Sequence, residues 1–285
     1  MWLILGLLSG LFFALQNTVS KKALEGVNYY LVAFAYAAFS LPYFLIALFW
    51  FDLAPLNFTF WWSALTTSVL NVIALVLLMK ALYIGELSLT MPFLSFTPVF
   101  LILTSNLMLG EFPDLIGVLG VLLIVCGTYF LEMRKSEGAF GPFKAFIKNK
   151  GGQLVLLVAF IYAITSNLDK IAVQNSNPIT RNIIVLSLMA LMLLPLIWYK
   201  STQKLIEIKS KYKLLLIAGF FAALTLFLQM IALTLTIVPY VISLKRTSAL
   251  FSVILGFIAF KERNIKPKLL GSILMVLGVL LIALS

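Results

Sequence analysis

The sequence predicts an all-α membrane protein in which ten transmembrane helices form two inverted repeats of five. Three observations lead there. Of 285 residues, 62% are hydrophobic and 11% charged, where soluble domains run near half apolar and a quarter charged. Apolar runs of about 20 residues, enough to cross a bilayer, recur along the whole chain. The second half then repeats the first at an offset that drifts only from 149 to 151 residues.

The runs lie near residues 2–20, 29–51, 61–83, 87–109 and 112–131, and then near 153–173, 180–199, 213–234, 238–260 and 267–284. Turn-forming residues mark the short joins: Gly85 before the fourth run, Pro113 at the fifth, Pro178 before the seventh, Pro239 opening the ninth and Pro267 the tenth. Tyr29, Tyr30, Trp50, Trp61, Trp62, Trp198 and Tyr199 sit at run ends, where amphipathic rings favour the headgroup level. No basic residue precedes the first run and no small-residue cleavage pattern bounds it, so no cleavable leader is expected.

Two joins are longer. Residues 200–212 read as a basic loop. Residues 134–152 separate a first five-helix repeat, 1–133, from a second, 153–285. Within that linker Phe143, Phe146 and Ile147 share a helical face beside Lys144 and Lys148. That is the pattern of a short helix lying on anionic membrane lipid; a solvated linker is the alternative.

The formal charge of +11 is sorted by side. Let side A be the side of the N-terminus and side B the other. Seventeen cations fall at or between span ends on side B, from Lys21 and Lys22 to Lys266 and Lys268, whereas side A carries only Lys170 and Arg181. Basic residues in short connections stay in the cytoplasm. Side B is therefore expected to be cytoplasmic, with both termini outside a plasma (inner) membrane. The basic balance is topological and predicts no nucleic-acid partner. The absence of histidine excludes imidazole catalysis and most zinc sites. The single Cys126 excludes an internal disulfide. No cofactor and no metal are expected.

The repeat explains the architecture. "FALQNTVSKKAL" (13–24) aligns with "YAITSNLDKIAV" (162–173), pairing Ala14 with Ala163 and Lys21 with Lys170. Further on, Phe100 meets Phe251, Glu111 meets Glu262, Gly120 meets Gly271 and Gly127 meets Gly278. Five spans per half is an odd number, so matched elements face opposite sides. Such inverted repeats characterise secondary transporters, with the site near midplane between the halves. Gly120 and Gly127, and likewise Gly271 and Gly278, recur at seven residues and so share a helix face. These small-residue stripes predict close packing of span 5 on span 10, or of the same stripe on a second protomer, which would make a homodimer.

A Lys closes the first span of each half (Lys21, Lys170), and Gly110-Glu111 and Lys261-Glu262 close the fourth. In these features and in its five-plus-five spans the chain resembles the EamA family of the drug/metabolite transporter superfamily, over essentially its whole length. The resemblance implies a transporter and no enzyme. It also implies a central cavity lined by spans 1, 3, 4, 6, 8 and 9, with spans 5 and 10 outside. The family handles amino acids, drugs, sugars and other metabolites, so it implies no particular substrate. Many members place their termini in the cytoplasm, and the charge count here argues the reverse.

Lys245-Arg246 is the sharpest chemical signal. The pair lies six and seven residues beyond Pro239, roughly 9–11 Å along a helix rising 1.5 Å per residue, deep in a hydrocarbon core about 30 Å thick. Each charge there costs at least about 2.5–3.5 kcal/mol. No acid stands at similar depth in the sequence: Asp169 and Glu86 fall near span ends, Asp52 and Asp114 in loops. An anionic substrate would supply the missing charge; snorkelling or backbone contact is the alternative. A Lys-Arg pair in span nine is also similar to that of the plastid triose-phosphate translocators of the same superfamily, which implies phosphate binding.

Uncharged polar residues join it from other spans: Gln16, Asn17 and Ser20, Asn71, Thr165, Ser166 and Asn167, and Gln229. As a set they are candidate substrate ligands, of which Gln16, Asn17, Asn71, Asn167 and Gln229 are the main ones. Singly they read as interhelical hydrogen bonds. Pro92 and Pro98 interrupt span 4 and mark a gate or hinge, or else a static kink. Lys21 and Lys170 read as interface anchors, and Glu111 and Glu262 as loop caps. The resulting expectation is a secondary active transporter moving a small phosphorylated or carboxylated anion by alternating access. The alternatives are an exporter or flippase of amino acids, drugs or an anionic headgroup, and, further off, a lipid-modifying enzyme.

Overall fold

The computed structural model describes residues 1–24, 27–84, 91–132, 150–200, 204–251 and 269–285, and within them it has no strand. In chain order the helices are α1 (Trp2–Leu24), α2 (Tyr29–Ala47), α3 (Phe58–Ile84), a 3₁₀ segment (Met91–Phe96) leading into α4 (Thr97–Leu109), and α5 (Leu115–Glu132). The second half supplies α6 (Lys150–Gln174), α7 (Pro178–Lys200), α8 (Lys204–Leu235), α9 (Val238–Arg246) and α10 (Leu269–Leu284). Six of them, α1, α2, α3, α6, α7 and α8, contain stretches long and apolar enough to cross a membrane; the fourth, fifth and tenth are shorter apolar helices. Beyond Arg246 a turn at Thr247 leads back into helix at 248–251. The rest of the expected ninth span, Gly85, Glu86, Glu262, Pro267 and the expected interfacial helix at 143–148 lie outside the described residues.

Helix ends follow capping chemistry. An N-terminal turn leaves backbone donors without partners, and a side-chain oxygen just before the helix accepts one of them. Asn28 accepts from Tyr30 N, Asn57 from Phe60 N, Asp114 from Gly117 N and Asn177 from Thr180 N, opening α2, α3, α5 and α7. Gly110 ends α4 with φ 68°, a left-handed C-cap that a side chain would strain. The expected loop at 200–212 needs correction: helix begins at Lys204 and bends at Lys211, whose φ of −122° leaves the helical range. Ile208 holds that turn by packing near Leu31 and Ile197.

Packing reproduces the inverted repeat. The extensive contacts of α1 with α8 have their counterpart in α6 with α3, and those of α4 with α6 in α9 with α1. Helices α5 and α10 pack mainly on each other. A Cβ on Gly120 would come within 2.8 Å of the Gly278 carbonyl, and one on Gly271 within 2.6 Å of the Gly127 carbonyl. The glycine stripes are thus consumed inside one chain, as the first of the two expected packings has it, and offer no surface to a second protomer. Gly120→Leu with Gly271→Leu should lower the thermal midpoint in detergent by well over 5 °C, because four-carbon side chains force these backbones apart. A double variant that melts with the wild type would contradict this packing.

Two more glycines position the site. Gly6 and Gly10 sit one turn apart on α1, and their missing side chains let α9 approach. A Cβ at Gly6 would lie 2.7 Å from Leu244, and one at Gly10 would lie 3.1 and 3.2 Å from the carbonyls of Leu244 and Lys245. Backbone contact at this distance holds the C-terminal turn of α9 against the middle of α1.

Candidate functional site

Between the halves lies a cavity of about 150 Å³, room for a solute of roughly benzene's size. Its polar wall gathers Gln16, Asn17 and Ser20 from α1, Tyr36 from α2, Asn71 from α3 and Thr97 from the start of α4. Thr165, Ser166 and Asp169 come from α6, Arg181 from α7, Gln229 from α8, and Lys245 and Arg246 from α9. None of its lining comes from α5 or α10, in keeping with the family expectation, while α2 and α7 join the six helices expected.

Helix period explains who reaches it. Residues 165, 166 and 169 share one face of α6, whereas residue 167 points about 200° away from 165. Asn167 accordingly leaves the cavity. Its Oδ1 accepts from Ser105 at 2.7 Å and its Nδ2 donates to Thr104 at 3.1 Å, a polar clamp between α6 and α4. Of the expected ligands, Gln16, Asn17, Asn71, Gln229, Lys245 and Arg246 line the cavity and Asn167 does not.

Lys245 and Arg246 are held in part by uncharged groups. Lys245 Nζ donates to Gln229 Oε1 at 2.7 Å and stands 4.5 Å from the centre of the Phe13 ring. The aromatic face and the amide dipole stabilise an ammonium without neutralising it. Arg246 is buried and its Nη2 donates to Thr97 Oγ1 at 2.7 Å. Among the described residues the ion pairs are Lys170 with Glu111 and Arg181 with Asp169, and Lys245 takes part in neither.

The view that no acid lies at depth is overturned by Asp169. It is 6% exposed, lines the cavity and pairs with Arg181, itself 2% exposed. Asp169 Oδ1 also accepts from Thr67 Oγ1 at 2.7 Å, and Thr67 in turn accepts from Asn71 Nδ2 at 3.2 Å. Arg181 Nη1 donates to Asn182 Oδ1 at 2.7 Å. Arg181 is therefore no side A surface cation. Both residues sit near helix ends and are nonetheless buried, and mutual pairing satisfies what burial removes.

Lys170 needs the same correction. It is buried, and its Nζ pairs with Glu111 and donates to Thr236 O at 2.6 Å. Glu111 Oε2 accepts from Val238 N at 3.0 Å, so Glu111 caps α9, as its expected role as a loop cap requires. One dipeptide of α6 thus braces the side A end in two directions, Asp169 toward α7 and Lys170 toward α4 and α9. The side chain of Lys21, its repeat partner, lies outside the described residues.

Pro98 is buried and occupies the first turn of α4, where the lost donor costs nothing. Pro92 stands in the 3₁₀ segment. Span 4 therefore changes helix type between the two prolines, at Phe96–Thr97, beside the contact from Thr97 to Arg246.

This fold is that of a transporter. The family model of the EamA-like transporter family matches residues 1–133 and 149–284, and the chain belongs to that family. Comparison with curated proteins returns no match. Twenty-seven solved chains match. One of them, described only as "Crystal structure of protein", has a TM-score of 0.81 at 14% identity over 99% of this chain and 96% of its own, a likeness of fold alone. The protein is a multi-pass membrane transporter of the drug/metabolite type.

Proposed function

We propose that this transporter moves a small anion, phosphorylated or carboxylated, by alternating access of the central cavity. One observation carries the reading: among the described lining residues three cations, Arg181, Lys245 and Arg246, stand against one carboxylate, that of Asp169. Charges at that depth persist when a function retains them, and a guanidinium beside an ammonium suits a carboxylate or phosphate. Gln16, Asn17, Asn71 and Gln229 supply further donors and acceptors. Uptake of a labelled small anion into proteoliposomes, compared with a labelled cation of equal size, tests the reading.

Alternating access draws support from bonds between the halves on side A. Ala54 N donates to Thr180 Oγ1 at 2.9 Å, Asn57 Nδ2 to Asn175 Oδ1 at 2.8 Å and Asn177 Nδ2 to Asp52 O at 2.9 Å. They tie the α2–α3 connection to the α6–α7 connection, beside the braces from Asp169 and Lys170. Lining residues Ser20, Val32 and Leu78 belong instead to the side B ends of α1, α2 and α3. Bonds across side A together with lining residues near side B are the arrangement a carrier facing side B requires.

Side B is cytoplasmic in this reading, with the termini outside the inner membrane. Burial of Lys170 and Arg181 strengthens the charge argument, because both side A cations are internal. With Cys126 replaced, Leu53→Cys in the α2–α3 connection should react with an impermeant thiol reagent applied to intact cells, and Ser210→Cys should not. The opposite labelling pattern would invert the orientation.

A further inference from the structure

The cation least expected in the sequence has unused binding capacity. A guanidinium carries five N–H donors. Arg181 gives one to Asp169 through Nη2 and one to Asn182 through Nη1, and its Nε is buried with no partner. A buried charged donor left open calls for an acceptor, and Arg181 lines the cavity.

Its position adds a distance. Helices α7 and α9 both start at the side A end. Arg181 is three residues into α7 and Lys245 seven residues into α9, an offset of four residues, or about 6 Å of helix rise, when the two helix starts are taken as level. The charges add a count. Among the described lining residues three cations, Arg181, Lys245 and Arg246, stand beside one acid, Asp169.

We propose that Arg181 is a third substrate-binding residue and that the site is built for a small diacid, one acid group on Lys245–Arg246 and the other on Arg181. This rests on the reading of the cavity as an anion site and specifies its substrate class. An extended four-carbon diacid separates its outer oxygens by roughly the depth offset given by helix rise and suits a cavity of about 150 Å³. Asp169, Thr67 and Asn182 act as positioning residues that hold the guanidinium in the wall.

Thermal-shift titration of the purified protein in detergent tests this with succinate, butyrate and methyl phosphate at pH 8. Succinate places two charges at two points, butyrate one charge, and methyl phosphate two charges at one point. Succinate should half-saturate at a concentration at least tenfold below either of the others. Because Arg181→Gln alone strands Asp169, the variant of choice is Asp169→Asn with Arg181→Gln, which keeps a neutral pair and the same net formal charge. In it the succinate advantage over butyrate should shrink to about threefold or less. Equal half-saturation by succinate and methyl phosphate in the wild type would overturn the two-point site, as would a double variant that keeps the tenfold advantage. If no anion shifts the midpoint at all, the anion reading itself fails and this inference falls with it.

Discussion

Lys245→Ala and Arg246→Ala should each cut uptake of a small anion into proteoliposomes at least tenfold, while the purified Lys245→Ala variant folds and melts at or above the wild-type midpoint. Both halves of that expectation follow from the cavity. A charge-assisted hydrogen bond to a bound anion contributes about 1.5–3 kcal/mol, or about one to two powers of ten in affinity. Lys245 joins neither ion pair among the described residues, so its removal strands no described carboxylate. Lys245 leaves Gln229 and the Phe13 ring, and Arg246 leaves Thr97. A side chain that carried the fold would behave oppositely, with melting falling along with uptake. Normal uptake by both variants would remove the anion site.

Asp169→Ala gives the contrasting result. It leaves Arg181 buried without its carboxylate, and breaking a buried pair from one side costs about 3–5 kcal/mol. Arg181→Ala strands Asp169 with the hydroxyl of Thr67 alone and should cost as much. Replacing both by Asn and Gln leaves no orphan charge, and most of the loss should return. A double-mutant cycle read by thermal midpoint in detergent would give a coupling of several °C. Additive losses would mean that the pair does not act as a unit in the membrane.

The fold was legible because a bilayer leaves few solutions. Apolar runs of spanning length, the near-constant offset between halves and the paired glycines of α5 and α10 are all local or periodic signals. Of the candidate site, the residues that both sequence and cavity single out are those whose polarity is anomalous in mid-span: Lys245, Arg246, Gln16, Asn17, Asn71 and Gln229. Asn167 stands away from the cavity, on Ser105 and Thr104, because membership of a cavity helix does not decide which face a residue occupies. Arg181, Asp169 and Lys170 were taken for span-end residues because depth was judged by distance from the run's end. Asp169, Lys170 and Arg181, three to five positions from a helix terminus, are buried and paired, which distance from a run's end does not reveal. The i, i+4 glycines of α1, Gly6 and Gly10, were a readable small-residue motif. They are what brings Lys245 under Phe13, and their partner in α9 could be known only from the packing.

Counterflow tests the central claim most directly. Proteoliposomes loaded with an unlabelled small diacid are diluted into the same labelled diacid, beside vesicles loaded with choline and vesicles without protein. An anion carrier working by alternating access should accumulate label transiently and saturably only where diacid is inside, and Lys245→Ala should abolish the overshoot. Label entering no faster than into protein-free vesicles, or equally well against internal choline, would contradict an anion-exchanging cavity.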